Sequence, residues 1–221
     1  MKIHSIFKSI NGEVCSSHQG SLTVFVRTFG CNCRCSWCDS QFSYNGEAPR
    51  EMKVREIVRE VVKLNTINVT ITGGEPLLQK GTPNLIRKLS FHGKKVSIET
   101  NGTVFIPLIS DSERVKWVVD YKLPSSGYEN EDVIYKNFRN LLSHDFVKFV
   151  VADRKDFDRA VEVIPLIRNE VSYSFGPKFA LSPVWGSLKP ETLAQWMIKN
   201  EELCKIGAIY SLQIHKILSV K

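Results

Sequence analysis

The sequence predicts an α/β fold, a partial (β/α)6-type barrel with a parallel sheet inside and helices outside. Three observations predict it. β-branched and aromatic runs alternate with stretches whose apolar residues recur at helical spacing, the order that parallel β/α units require. Polar and glycine-containing stretches follow the predicted strands directly, where barrel folds place their active sites. About six or seven strands are found, fewer than a closed eight-stranded barrel needs. The chain has 221 residues, with no internal repeat, low-complexity segment or interdomain linker, so residues 1–221 are expected to form one domain.

In chain order, residues 22–28 (Leu-Thr-Val-Phe-Val-Arg-Thr) read as a strand running into Gly30 and a cysteine-rich loop. Val54, Ile57, Val58, Val61 and Val62 mark one face of a helix. Residues 68–72 form a short strand ending at Gly73-Gly74. A helix over 83–91 turns Leu85, Ile86 and Leu89 inward, and strands follow at 96–99 and 115–120. A helix near 131–142 precedes a strand at 146–151. Residues 156–167 read as a helix interrupted or ended near Pro165. A strand at 178–181 leads to one helix over 190–204, with Pro190 in its first turn and Leu193, Trp196 and Met197 on one face. A strand at 209–214 closes the series.

Composition narrows the class. Apolar residues make up 43% and charged residues 24%, the values of an ordinary globular protein. No apolar run is long enough to span a bilayer, and the start, Met1-Lys2-Ile3-His4-Ser5, lacks a signal-peptide core, so no membrane association and a cytoplasmic location are expected. The net charge of +7 favours anionic partners, but the basic residues are scattered, and direct nucleic-acid binding is not indicated. Six cysteines, four of them within residues 31–38, in a reducing compartment point to metal ligation before disulfides.

The cysteine loop carries the strongest chemical signal. Cys31, Cys35 and Cys38 are spaced C-x3-C-x2-C, with Cys33 as an extra thiol inside the motif. Three thiolates leave a cubane cluster one ligand short of the usual four, and an iron with an open position can bind a small chelating molecule. A zinc site, a disulfide pair and an electron-carrying cluster are the alternatives that spacing alone leaves open. Arg27 lies on an inward-looking apolar strand four residues before Cys31. A buried guanidinium needs an anionic partner, and a carboxylate gripped in a planar fork would serve, unless the side chain reaches solvent.

The C-x3-C-x2-C spacing resembles that of the radical S-adenosylmethionine (SAM) enzymes, and Thr72-Gly73-Gly74-Glu75-Pro76 resembles their GGEP segment. The resemblance implies the radical SAM form of the partial barrel. It also implies a [4Fe–4S] cluster on Cys31, Cys35 and Cys38, the catalytic cysteines, with Cys33 a bystander. In that family the open iron chelates SAM, which the reduced cluster splits to give a 5′-deoxyadenosyl radical. It implies SAM contacts at Trp37, Cys38, Asp39, Gly74, Glu75, Thr100, Asn101, Asp120, Tyr121 and Lys122. Relatives usually read Ser-Pro-Lys where this chain has Asp120-Tyr121-Lys122, so Lys122 carries over best.

A narrower resemblance covers nearly the whole length. Ser9-Ile10-Asn11-Gly12-Glu13, Phe25-Val26-Arg27, Cys38-Asp39-Ser40 and Gln213-Ile214-His215-Lys216 resemble the hallmarks of the 7-carboxy-7-deazaguanine synthase family. Departures are Asn11 for Gln, Val14 for Gly and Ser40 for the commoner Thr. The resemblance implies a lyase that converts 6-carboxy-5,6,7,8-tetrahydropterin to 7-carboxy-7-deazaguanine with loss of ammonia, in queuosine or archaeosine biosynthesis. It further implies a pterin site at Ile10, Asn11, Gly12, Glu13, Arg27, Thr72, Gln213 and His215, with Mg²⁺ near Ser40. An electron donor such as flavodoxin or ferredoxin and a homodimer are the expected partners. A glycyl-radical activase would share the cysteines and Gly-Gly-Glu-Pro without needing Arg27, Glu13 or Gln213-x-His215. A non-catalytic iron–sulfur carrier would not need Gly73-Gly74-Glu75 after a strand.

Overall fold

The computed structural model describes residues 1–15, 18–109, 113–128, 137–171 and 176–220. Its nine strands form a single sheet. They are β1 (Lys2–Ile10), β2 (Leu22–Thr28), β3 (Arg50–Glu51), β4 (Asn68–Gly73) and β5 (Lys95–Thr100). β6 (Val115–Tyr121), β7 (Phe146–Val151), β8 (Lys178–Pro183) and β9 (Ile209–Tyr210) complete it. The spatial order is β3-β1-β2-β4-β5-β6-β7-β8-β9, and every neighbouring pair from β2 to β9 is parallel. β3 and β9 lie at opposite edges, so the barrel is partial, as expected.

Alternation along these strands sorts the chain into two faces. Val24, Val26, Ile71, Ile98, Val119 and Val147 are fully buried in the main core. The alternate residues Phe25, Arg27, Thr72, Glu99, Asp120 and Lys148 line a cavity on the other face. Helix α1 (Phe42–Asn45) sits in the loop before β3. Helices α2 (Val54–Lys63), α3 (Thr82–Phe91) and α4 (Arg154–Glu170) contribute to the core. Leu85, Ile86 and Leu89 of α3 are completely buried, each stabilising by roughly 1.5–3 kcal/mol. In α2, Ile57, Val58 and Val61 face inward as expected, whereas Val62 is exposed.

Several elements differ from the sequence expectation. β1 was not anticipated; it pairs antiparallel with β2, and a register shift between Ile3 and Ser5 breaks the alternation that would betray it. α4 continues through Pro165 to Glu170, since proline removes one intrahelical bond while buried Val163, Ile164 and Ile167 hold both sides of it to the core. The helix expected over 190–204 is two, α5 (Pro190–Lys199) and α6 (Glu201–Lys205). Extended Asn200 separates them, and its side chain accepts the Leu203 N–H at 2.9 Å as the cap of α6. The strand expected at 209–214 shortens to β9, and the chain then enters helix α7 (Ile214–Ile217). Residues 131–136 of the helix expected near 131–142 lie outside the described residues.

Candidate active site

A cavity of about 510 Å³ opens on the inner face of the sheet. It is lined from the cysteine loop after β2, the ends of β4 to β7, the loop after β1 and the segment around α7.

The cysteine loop is fastened to the end of β4. The Gly74 N–H donates to Thr28 O at 3.1 Å and the Glu75 N–H to Gly30 O at 2.7 Å. Gly73 has φ +126°, and a Cβ there would collide with the Thr28 backbone; one at Gly74 would collide with the Gly30 carbonyl. The close approach that the two glycines permit is therefore to the cysteine loop. Glu75 does not line the cavity. It is fully buried and accepts from the Leu77 N–H (2.8 Å), the Thr100 hydroxyl (2.9 Å) and the Asn101 N–H (2.7 Å). Burial pushes its carboxyl up to about 7. It ties the β4 turn to the β5 turn, a brace where the sequence suggested a SAM contact.

Cys31, Cys33, Cys35 and Cys38 all line the cavity. Cys33 is 3% exposed and hydrogen-bonds to both Cys31 and Cys35, which lowers those thiols to about 6 and about 7 and raises its own. Asn101 Nδ2 donates to Cys33 Sγ at 3.3 Å and to Cys31 Sγ at 3.8 Å. Burial raises the Cys38 thiol. Cys33 is thus a neighbour of the outer pair in space, not only in sequence. Metal ligation needs thiolates, and the lowered pair suits it. Among the described residues no three Cys, His, Asp or Glu side chains converge as ligands of one ion. A cubane takes each cysteine on a separate iron, and Cys31, Cys35 and Cys38 would supply three such thiolates at the cavity.

Beside the thiols, Trp37, Asp39, Gly74, Thr100, Asn101, Asp120 and Lys122 reach the cavity. Lys122 Nζ lies 3.0 Å from Asp120 Oδ2 and 5.3 Å from the centre of the Trp37 ring. Burial and Asp120 act in opposite senses on Lys122, and its pKa ends up raised. Tyr121 does not reach the cavity. Strand alternation turns it to the helix side, where it packs on Phe138 and Phe149.

Of the expected substrate residues, Ile10, Gly12, Glu13, Arg27, Thr72, Gln213 and His215 line the cavity, with Ser40. Asn11 does not; it is buried between the Thr70 and Ser21 hydroxyls at 2.7 and 2.9 Å. Arg27 Nη1 donates to Ser40 Oγ at 3.2 Å, and the guanidinium stands 5.9 Å and 5.3 Å from the Phe7 and Phe42 ring centres. Burial lowers its pKa, opposed by Glu99 and Asp39. Glu13 accepts from Gln213 Nε2 at 2.7 Å and from Lys148 Nζ at 2.6 Å. Gln213 is buried and its Oε1 has no partner. Burial lowers the His215 pKa, and Gly12 approaches the His215 ring so closely that a Cβ there would overlap it.

Sequence reasoning missed Tyr44, Glu99, Lys148, Trp185 and Lys216, all of which line the cavity. Glu99 accepts from the Thr72 hydroxyl at 2.7 Å, and burial raises its pKa. Lys216 pairs with Asp39 at 2.9 Å. Lys148 carried the signal that singled out Arg27, a cation inside an apolar strand.

A family model of the radical SAM superfamily matches residues 25–171. Curated proteins named 7-carboxy-7-deazaguanine synthase match along almost the whole chain. The one from Clostridium acetobutylicum is 37% identical over 220 residues, 98% of this chain and 95% of the relative. The chain belongs to the 7-carboxy-7-deazaguanine synthase family. A relative from Methanospirillum hungatei is 38% identical over 223 residues, covering 100% of this chain and 86% of its own. The crystal structure of QueE from Escherichia coli superposes with a TM-score of 0.73 over 95% of this chain and 92% of its own. At 19% identity, that match supports the fold. As a radical SAM enzyme of this family, the chain uses a [4Fe–4S] cluster and SAM.

Proposed function

We propose that this chain is the lyase that converts 6-carboxy-5,6,7,8-tetrahydropterin to 7-carboxy-7-deazaguanine with release of ammonia, feeding 7-deazapurine biosynthesis. The observation that carries this reading is Arg27, a half-buried guanidinium at the cavity wall with aromatic rings beside it and a hydroxyl as its hydrogen-bond acceptor. No ion pair engages it among the described residues, so a substrate carboxylate would complete it.

Cys31, Cys35 and Cys38 would hold the cluster. SAM would lie against Trp37, Asp39, Gly74, Thr100, Asn101, Asp120 and Lys122. When bound, the pair supplies hydrogen-atom abstraction from an unactivated carbon, and the protein supplies placement. Arg27 fixes the carboxylate end of the pterin. Glu13, an acceptor at the cavity wall held by Gln213, receives its N–H edge. Thr72 and His215 flank the ring. Ser40 would offer a hydroxyl to Mg²⁺, the hard oxygen ligation that this ion prefers, and the ion would help orient the substrate. The ion-paired residues Asp120, Lys122 and Lys148 present fixed charges within the cavity, where water would otherwise solvate the reacting ring.

The reading includes a single domain over residues 1–221, a homodimer, a cytoplasmic site of action and a low-potential donor such as flavodoxin or ferredoxin. Among the described residues no helix is long and apolar enough to cross a membrane. The test is anaerobic incubation of reconstituted protein with SAM, dithionite and the carboxy-tetrahydropterin. Ultraviolet absorbance and product mass should report the deazaguanine; SAM cleavage with no change in the pterin would refute the substrate.

A further inference from the structure

Lys148 is the polar exception in β7. Val147 and Phe149 on either side of it are completely buried in the core, while Lys148 and Val150 face the cavity. A buried ammonium is strongly unfavourable unless it is paired. Lys148 Nζ is paired twice, 2.6 Å from Glu13 Oε2 and 3.2 Å from Asp120 Oδ1. Glu99 adds a third carboxylate nearby.

The two paired acids belong to different parts of the site. Glu13 sits in the irregular segment after β1, among the residues assigned above to the pterin. Asp120 sits near the end of β6 among those assigned to SAM. Lys148, on a strand flanked by β6 and β8, ties the loop carboxylate to a rigid support. We propose that Lys148 is a positioning residue that fixes Glu13 toward the substrate and joins the substrate subsite to the SAM subsite. This rests on the function proposed above and adds a residue to it.

The partners respond unequally to loss of Lys148. Asp120 would keep a second cation, Lys122, at 3.0 Å. Among the described residues, Glu13 would keep the neutral Gln213 amide at 2.7 Å as its side-chain partner. Gln213 is oriented in turn by that same bond, and its buried Oε1 has no hydrogen-bond partner. Removing Lys148 therefore disorders the substrate acceptor, while the SAM side retains an ion pair.

The test uses anaerobically reconstituted full-length protein carrying Lys148→Met, which keeps the unbranched stem, and Lys148→Arg, which keeps the charge. Pterin KM and kcat, SAM dissociation constant and cluster content are measured for each. For Lys148→Met the expected result is a pterin KM raised by about ten-fold or more, with SAM affinity within about three-fold of the parent. Lys148→Arg should recover part of the loss. In a Glu13→Gln background, Lys148→Met should add less than about three-fold to KM, because the pair acts as a unit. An unchanged KM, an equal loss for SAM and pterin, or the full KM effect persisting in Glu13→Gln would overturn the proposal. If Lys148→Met fails to fold, Lys148→Gln, which keeps a donor without the charge, takes its place: normal cluster content with a raised pterin KM and unchanged SAM affinity supports the role, and an unaltered KM removes it. A parent protein that makes no product from the pterin removes the function itself, and this inference with it.

Discussion

On the cavity wall formed by the cysteine loop and the ends of β4 and β5, polar groups are held mainly by uncharged donors and by backbone contact. Glu75 takes three such donors, and Gly73 and Gly74 lie against Thr28 and Gly30. On the opposite wall, formed by β6, β7 and the segments around Glu13 and Gln213, they are held by ions. Asp120 alone faces Lys122 and Lys148. The difference shows how burial of charge can be read. A carboxylate fully satisfied by its own fold is architecture, and Glu75 stands outside the cavity. Arg27, on the cavity lining with a hydroxyl as its hydrogen-bond acceptor, has room for a further partner.

The comparison breaks most sharply at the thiols. Cys31→Ala, Cys35→Ala or Cys38→Ala should each abolish SAM cleavage, with loss of the cluster's electron paramagnetic resonance signal. Cys33→Ala should retain most of both; loss of the cluster in Cys33→Ala, with retention in one of the other three, would reassign the ligands. Next in size is Arg27→Lys, which keeps charge but not the planar fork. At roughly 1.5–3 kcal/mol per charge-assisted bond, it should cut pterin turnover about ten-fold to several hundred-fold while uncoupled SAM cleavage changes little. An equal fall in both would assign Arg27 to SAM in place of the pterin. Removal of Mg²⁺ by chelation should lower pterin turnover, with recovery on adding the ion back, and uncoupled SAM cleavage should respond less. Identical turnover after thorough chelation would leave Ser40 as a partner of Arg27 and Asp39 only.

The smallest effect concerns Glu75 and folding. Its carboxyl is raised from the ordinary 4.5 to about 7, so between those values the folded chain binds the proton more tightly than the unfolded chain. Its contribution to stability therefore falls as pH rises through that window. Glu75→Gln should flatten this slope in urea unfolding between pH 5 and pH 7.5. It should also cost roughly 1–3 kcal/mol from the mismatched donor left opposite the Asn101 N–H. A slope unchanged by the substitution would assign the pH dependence to other groups.

The parallel core was legible because buried strands carry nearly continuous apolar runs. β1 was not, because it is only partly buried and a register shift near its start breaks the phase of the alternation. Asn200 was hidden because the apolar spacing of α5 and α6 reads straight across it. In the site, the cysteines, Arg27 and Glu13 were legible from motif and chemistry. Tyr121 was misplaced although alternation beside Asp120 already turns it away. Glu99 needed the sheet, and so did the pairing of Lys148 with Asp120, since the register brings β5, β6 and β7 side by side.

The bond between Glu13 and Gln213 spans 200 residues of sequence. Contacts of such separation are entropically expensive to close and tend to form late. The thiol rim, by contrast, lies within residues 31–38. On an emerging chain, the segment able to receive iron and sulfide is therefore present long before the pterin site can exist. Only when α7 docks, with His215 against Gly12, does the cavity gain its remaining wall. The order of synthesis thus separates the cluster loop from the complete cavity, and a chain interrupted before Gln213 would possess that loop but lack the cavity wall that carries Gln213 and His215.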